Sequence, residues 1–217
     1  MKIILTGSTS FIGRAATDKL RALGHEVTAL RHSFEEATEQ GITLPERADV
    51  WLHFAWAGVG SAGRSDPAIQ AYNVSMSMSA LKKAAELGCR RFLFSGSQAE
   101  YGGRGMRQND GHLLQTEDGP AEPVSEYGKA KLQFRNEAEF WIQECTGASG
   151  KHDSAVDSAC EAASETNMDQ TIGTRAAVTK SVPLRYVHMR IFSAYGPGDH
   201  RGSLQWTDAI VGRYRSG

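Results

Sequence analysis

The chain opens Met1-Lys2-Ile3-Ile4-Leu5-Thr6-Gly7-Ser8-Thr9-Ser10-Phe11-Ile12-Gly13. Residues 2–5 are a short apolar run of strand character, and Thr6-Gly7-Ser8 ends it well before it could form a signal-peptide core. From Phe11 onward the pattern changes. Ile12, Ala15, Ala16, Leu20 and Leu23 recur at three- and four-residue spacing, which predicts an amphipathic helix over 11–23. A strand that passes through a Gly/Ser/Thr turn into a helix is where a dinucleotide pyrophosphate can rest. Glycines let the backbone turn tightly, and the helix N-terminus attracts the anion. An ordinary strand–helix turn fits the same residues.

Beyond Gly24 the alternation continues. Residues 26–30 read as a second strand, and the polar stretch 33–47 is short for a full strand–helix unit, so the sheet is expected to lack a strand there. An apolar run over 50–55 leads to a Gly-rich loop over 57–63. A long helix over 67–87 is stopped by Gly88, and 91–95 form a further strand. A Gly-rich polar segment over 102–123 precedes a helix over 125–144, and 184–192 is the last clear strand. Strands alternating with helices predict an α/β, Rossmann-type doubly wound parallel sheet. Residues 146–181, rich in Ser, Ala, Thr, Asp and Gly, read as an exposed insertion to which no chemistry is assigned.

The totals narrow the function classes. The 217 residues suffice for one core, and 40% hydrophobic with 23% charged residues is an ordinary globular composition. A net charge of -1 favours neither nucleic acid nor an anionic membrane as a partner. No apolar run approaches the roughly 20 residues of a membrane span. Cys89, Cys145 and Cys160 lack CxxC spacing, and the seven histidines show neither HxxxH nor HxH, so no disulfide framework and no metal site are expected. A reducing cytoplasm is the expected setting. His53, inside an apolar strand, reads as a hydrogen-bonded core residue.

Tyr127-Gly128-Lys129-Ala130-Lys131 places Tyr127 and Lys131 one helical turn apart on one face. A phenol with a pKa near 10 is a poor base at neutral pH. Lowering it by two or three units takes roughly 3–4 kcal/mol, which a nearby ammonium in a dry cleft can supply. Such pairs also arise by chance on ordinary helices. Position separates the two readings, because this pair follows Phe94-Ser95-Gly96-Ser97-Gln98-Ala99-Glu100-Tyr101-Gly102.

Taken together these segments resemble the extended short-chain dehydrogenase/reductase family, the NAD-dependent epimerase/dehydratases similar to UDP-galactose 4-epimerase. Residues 6–13 resemble its TGxxGxxG fingerprint, with Ser10 at the middle glycine position, where it must avoid positive φ or accept strain. Residues 94–102 resemble its SSxxxxYG stretch, whose catalytic Ser/Thr falls on Ser97 when the two are aligned on Tyr101-Gly102. Phe54-Ala55-Trp56 corresponds to the segment that lines the cofactor, usually Ala-Ala. Asn73 corresponds to the Asn of the following long helix, and residues 190–199 resemble R-x-F-N-x-Y-G-P-G-D with Ser193 replacing Asn.

The resemblance implies a dinucleotide site formed by Gly7, Ser10, Phe11, Ile12, Gly13, Arg31, Phe54, Ala55, Trp56, Asn73, Tyr127 and Lys131. It implies catalysis by Ser97, Tyr127 and Lys131 on a nucleotide-linked sugar, as an epimerase or a ketoreductase. A catalytically silent NAD(P)-binding regulator of the same fold is the alternative. Arg31 stands where NAD enzymes place an acid, and a cation there suits the 2′-phosphate of NADP over NAD. A solvated surface arginine fits equally well. Gln98 and Ala99 cannot act as the acid–base pair of a 4,6-dehydratase, and Glu100, if on a strand, would face the wrong side. Residues 1–199 are expected to form the dinucleotide domain and 200–217 the start of a substrate region that is largely absent. The expected consequences are an open cleft, little turnover by this chain alone, and self-association into a homodimer.

Overall fold

The structure, a computed structural model, describes residues 1–102, 106–107, 113–114, 116–117, 119–146, 184–192 and 194. In chain order the elements are β1 (Lys2–Thr6), α1 (Phe11–Ala22), β2 (Glu26–Leu30), α2 (Phe34–Glu39), β3 (Val50–His53), α3 (Ser61–Arg64), α4 (Pro67–Glu86) and β4 (Arg91–Ser97). A 3₁₀ turn (Gln98–Tyr101) follows, then β5 (Met106–Arg107), β6 (Leu113–Leu114), α5 (Glu126–Thr146) and β7 (Arg185–Ile191). Five strands form one sheet in the order β2-β1-β3-β4-β7, and every neighbouring pair in it is parallel. β5 and β6 form a separate antiparallel pair.

This is the doubly wound α/β architecture expected. The polar stretch between β2 and β3 yields only the two-turn helix α2, N-capped by the Ser33 hydroxyl. No strand forms there, as its composition predicted. β3 stops at His53, two residues short of the apolar run, because Phe54 turns away after its amide closes on the Thr6 carbonyl at 3.0 Å. β4 instead runs two residues longer than expected. The proposed insertion over 146–181, apart from the last residue of α5, lies outside the described residues, as do Ser193 and 195–217.

The core lies between the sheet and the pair α4–α5. Trp51, Phe92 and Phe94 from β3 and β4 are fully buried against Leu81 and Ala84 of α4 and Phe134 and Ala138 of α5. α4 is fixed at its start by Asp66, whose carboxylate caps the amides of Ala68 and Ile69, with Pro67 in the first turn. None of the described helices is long and apolar enough to cross a membrane.

Parallel pairing has a functional consequence. Thr6 pairs with Leu30 on one side and His53 on the other. The carboxyl ends of β1, β2 and β3 therefore meet at one edge of the sheet, with that of β4 beside them. In open α/β sheets ligands bind at this edge.

Candidate active site

The turn after β1 is built from backbone. Gly7 has φ +78°, a left-handed conformation, and a Cβ there would lie 2.5 Å from the Ala55 amide nitrogen and 2.6 Å from the Phe54 carbonyl carbon. Gly7 is thus required twice over, by conformation and by the close passage of the β3–α3 loop. The Ser8 amide donates to the Leu30 carbonyl at 2.9 Å, which ties the turn to the end of β2. At Gly13 a Cβ would run into the Gly7 carbonyl. Ser10, at the family's middle glycine position, escapes strain: φ is −68°, and its Oγ caps α1 by accepting from the Gly13 amide at 3.0 Å. Its hydroxyl hydrogen remains to be donated. The first turn of α1 carries no acid, so a dianionic pyrophosphate would meet amides, a hydroxyl and the positive end of the helix dipole. These residues fit the group.

Asn73 works one step back from the surface. It is fully buried, its Oδ1 accepts from the Ala57 amide at 2.8 Å, and its Nδ2 donates to the Ala57 carbonyl at 2.9 Å. Its amide is spent on holding the loop that carries Phe54, Ala55 and Trp56. Trp56 in turn donates from Nε1 to Gln70 Oε1 at 3.0 Å. Arg31 is the first residue after β2 and is exposed.

Behind the turn, His53 joins three elements. The Ser77 hydroxyl gives its one hydrogen to the Asn73 carbonyl at 2.8 Å, so His53 Nε2 must donate to Ser77 Oγ at 3.0 Å. His53 Nδ1 then accepts from the Thr6 hydroxyl at 2.7 Å. Burial, with a smaller push from the Lys131 charge, lowers the His53 pKa to about 3, which keeps the ring neutral. His53 is a fully satisfied core histidine.

At the other end of the site, two glycines bring α5 against the 3₁₀ turn. A Cβ on Gly128 would strike the Ala99 carbonyl, and one on Gly102 (φ +69°) would strike the Glu122 carbonyl. Gly128, between Tyr127 and Lys129, thus sets how closely Tyr127 approaches the Ser97 segment. Lys131 lies one turn deeper, 2% exposed, and Nζ donates to the Ser95 carbonyl at 2.7 Å. The ammonium sits 3.6 Å from the centroid of the Trp56 ring system and 5.7 Å from that of Tyr127. Burial pushes its pKa well below the ordinary lysine value; the Glu100 carboxylate opposes this and Arg64 adds to it. The Tyr127 ring meets the edge of Trp56 at 6.1 Å, and the Arg64 guanidinium lies over its face at 4.5 Å. The structure therefore brings Tyr127, Lys131 and Trp56 together, next to the end of β4.

Ser97 is buried, and its Oγ accepts from the Ala99 amide at 3.2 Å to begin the 3₁₀ turn. The facing that Glu100 would have on a strand does not apply, since β4 ends at Ser97 and Glu100 lies in that turn. Its fully buried carboxylate accepts from the Ser97 amide at 2.7 Å, from His188 Nε2 at 2.8 Å and from Arg190 Nε at 3.1 Å. Burial alone would raise the Glu100 pKa, but the His188, Ser97 and Arg190 hydrogen bonds together outweigh it and the net shift is downward. Sequence reasoning missed this cluster, along with Arg64. Its members lie 88 and 90 residues apart, and only the β4–β7 register, Phe94 with His188 and Gly96 with Arg190, unites them. A cavity of about 490 Å³ lined by Glu117, Gly119, Leu132, Arg135, Glu139 and Arg190, among others, opens beside α5. It contains none of Ser97, Tyr127 or Lys131.

A sequence model of the NAD dependent epimerase/dehydratase family matches residues 3–150. No curated protein gives a significant match. Among solved structures, UDP-glucose 4-epimerase with UDP-glucose from Thermotoga maritima is 25% identical, with a TM-score of 0.56 over 66% of this chain and 52% of its own. A short-chain dehydrogenase/reductase superfamily protein from Agrobacterium tumefaciens with bound NAD is 28% identical, with a TM-score of 0.53 over 66% of this chain and 45% of its own. MoeE5 in complex with UDP-glucose and NAD, at 17% identity, shares the fold over 91% of this chain and 56% of its own with a TM-score of 0.57. The chain thus spans about half the length of these relatives.

Proposed function

The chain belongs to the NAD dependent epimerase/dehydratase family, and we propose that it is an NAD(P)-dependent nucleotide-sugar epimerase or ketoreductase acting through Ser97, Tyr127 and Lys131. The observation that carries this reading is the placement of Lys131 beneath Trp56, bonded to the Ser95 carbonyl, with Tyr127 beside it at the carboxyl edge of the sheet.

The nicotinamide, when bound, accepts and returns a hydride; the remaining work falls to side chains. Tyr127 takes the proton from a sugar hydroxyl, as a general base held beside two cations, Lys131 and Arg64. The Ser97 Oγ already accepts from the Ala99 amide, so its own hydrogen is directed to the sugar oxygen. Lys131 acts on Tyr127 through its charge. To hold a ribose hydroxyl as well, its ammonium must be released by the Trp56 indole. Gly7, Ser10, Phe11, Ile12 and Gly13 bind the pyrophosphate, while Phe54, Ala55 and Trp56 line the nicotinamide side. Asn73 supports them through Ala57. Arg31 favours the 2′-phosphate of NADP over NAD.

The similarity to the Thermotoga maritima UDP-glucose 4-epimerase with UDP-glucose supports a nucleotide sugar as substrate. The test, run on this chain and on a version extended to the length of its relatives, is turnover of a panel of UDP-, CDP-, GDP- and dTDP-sugars with NAD⁺, NADP⁺ or their reduced forms, followed by product analysis. An epimerised or reduced sugar supports the reading. Binding of the dinucleotide with no turnover of any sugar selects a silent NAD(P)-binding regulator instead.

A further inference from the structure

The Ser97 segment contains a carboxylate held both by its own turn and by β7. Glu100 is fully buried, and its Oε1 accepts from the backbone amide of Ser97 at 2.7 Å. The Ser97 hydroxyl accepts from the Ala99 amide at 3.2 Å, so side chain and backbone of these residues cap one another reciprocally. The far oxygen of Glu100 is held from the next strand, by His188 Nε2 at 2.8 Å and Arg190 Nε at 3.1 Å. Each holder is itself held: His188 Nδ1 bonds the Tyr186 hydroxyl at 2.6 Å, and Arg190 Nη1 donates to the Tyr101 hydroxyl at 2.6 Å and to the Glu117 carbonyl at 2.9 Å. Gly96 makes the arrangement possible, because a Cβ there would strike His188 Nε2 and approach Glu100 Oε1 to 2.7 Å.

A buried carboxylate with three donors is a costly way to close a single turn of chain. A capping box needs only a glutamate or glutamine at the surface, whereas this one is anchored to a second strand through two cationic or potentially cationic side chains. What the anchoring fixes is the backbone of Ser97, and with it the direction of the one hydroxyl hydrogen left to donate. We infer that Glu100, locked by His188 and Arg190, is a positioning residue that aims the Ser97 hydroxyl. The inference rests on the proposed role of Ser97, and it assigns a function to the cluster that joins the 3₁₀ turn to β7.

Two measurements test it. The first needs no turnover: amide hydrogen exchange at Ser97 in the wild type and in Glu100→Gln and Glu100→Asp. Asp keeps the charge for His188 and Arg190 but is one methylene too short to span them and the Ser97 amide. Ser97 should be strongly protected in the wild type and lose protection by at least ~10-fold in the variants, while the amides of residues 92–94 keep theirs. Equal loss along all of β4, or no loss at Ser97, makes Glu100 a general stability residue and overturns the inference. The second is a double-mutant cycle on kcat. Glu100→Asp should lower kcat by roughly 10-fold with KM changed less than about 2-fold, and should cost nothing further in a Ser97→Ala background. Additive losses overturn the inference even in an active enzyme. If the wild type turns over no nucleotide sugar, the proposed function fails, and the exchange measurement alone still decides whether Glu100 holds Ser97.

Discussion

The two ends of the candidate site are made of different materials. The turn over residues 7–13 is shaped by backbone: one positive-φ glycine, a second glycine that lets a carbonyl approach, and a serine cap. The region around Ser97, Tyr127 and Lys131 is shaped by buried charge: a lysine 2% exposed, a fully buried glutamate, and an arginine and a histidine from a strand about 90 residues away. Backbone amides suit an anion whose charge does not change during a reaction. Buried side chains in a poorly solvated place suit a step in which charge moves, because their interactions are strong there and their protonation can be tuned. Under the proposed function, binding falls to the first region and chemistry to the second, so damage to one should spare the other.

The largest effect is expected at Tyr127. Tyr127→Phe removes the general base and should lower turnover at least ~100-fold, while dinucleotide affinity, read by titration, stays within about 2-fold. A matching loss of affinity would break the division. Gly7→Ala is the reciprocal test. It combines left-handed strain with a collision against Phe54 and Ala55, and should cost about 1–3 kcal/mol of stability. Dinucleotide affinity should fall by at least ~10-fold, as measured by the same titration alongside thermal unfolding. Unchanged affinity would remove the turn from the site.

His53 lies between the halves: it bonds Thr6 just before the turn, and its ring stacks on Phe94, over which the Lys131 ammonium sits. Its folded-state pKa of about 3 lies below the ordinary 6.5. The unfolded chain therefore takes up a proton that the folded protein refuses, and stability falls as pH drops through the window from 6.5 toward 3. The slope approaches about 1.4 kcal/mol per pH unit, so from pH 7 to 5 the wild type should lose about 2 kcal/mol more than His53→Gln, measured by urea denaturation. A parallel decline in both proteins would mean that the ring is not held neutral.

The smallest effect belongs to Arg31, at the rim of the binding half. Arg31→Asp should shift the ratio of NADP to NAD affinities toward NAD by roughly 10-fold, about the worth of one charge-assisted contact. If the wild type already prefers NAD, Arg31 is a surface cation only.

This difference in materials also explains what could be read from the sequence. A backbone-built turn is spelled by the residues it needs, so Gly7 and Gly13 were legible. So were Tyr127 and Lys131, which are neighbours on one helix, and the missing strand after β2, which follows from a stretch too polar to supply it. Sequence spacing could not place Asn73 against Ala57 or Trp56 over Lys131, because each contact depends on how a loop folds back on a helix. The expected strand over 91–95 says nothing of the 3₁₀ turn that carries Glu100, so a side for Glu100 is available only on the supposition of a continued strand. Its partners, His188 and Arg190, are assigned only by the β4–β7 pairing.

The central claim is that Tyr127, Ser97 and Lys131 handle the proton of a sugar hydroxyl while a hydride passes between the sugar and the nicotinamide of a dinucleotide bound at the turn. The most direct measurement is the near-ultraviolet absorbance of reduced nicotinamide after nucleotide-linked hexoses are added to the NAD⁺- or NADP⁺-loaded protein. The account predicts that at least one hexose produces reduced nicotinamide, transient for an epimerase and accumulating for a dehydrogenase, with no signal from Tyr127→Phe at equal cofactor occupancy. An equal signal from wild type and Tyr127→Phe, or none from either with the cofactor bound, would contradict it.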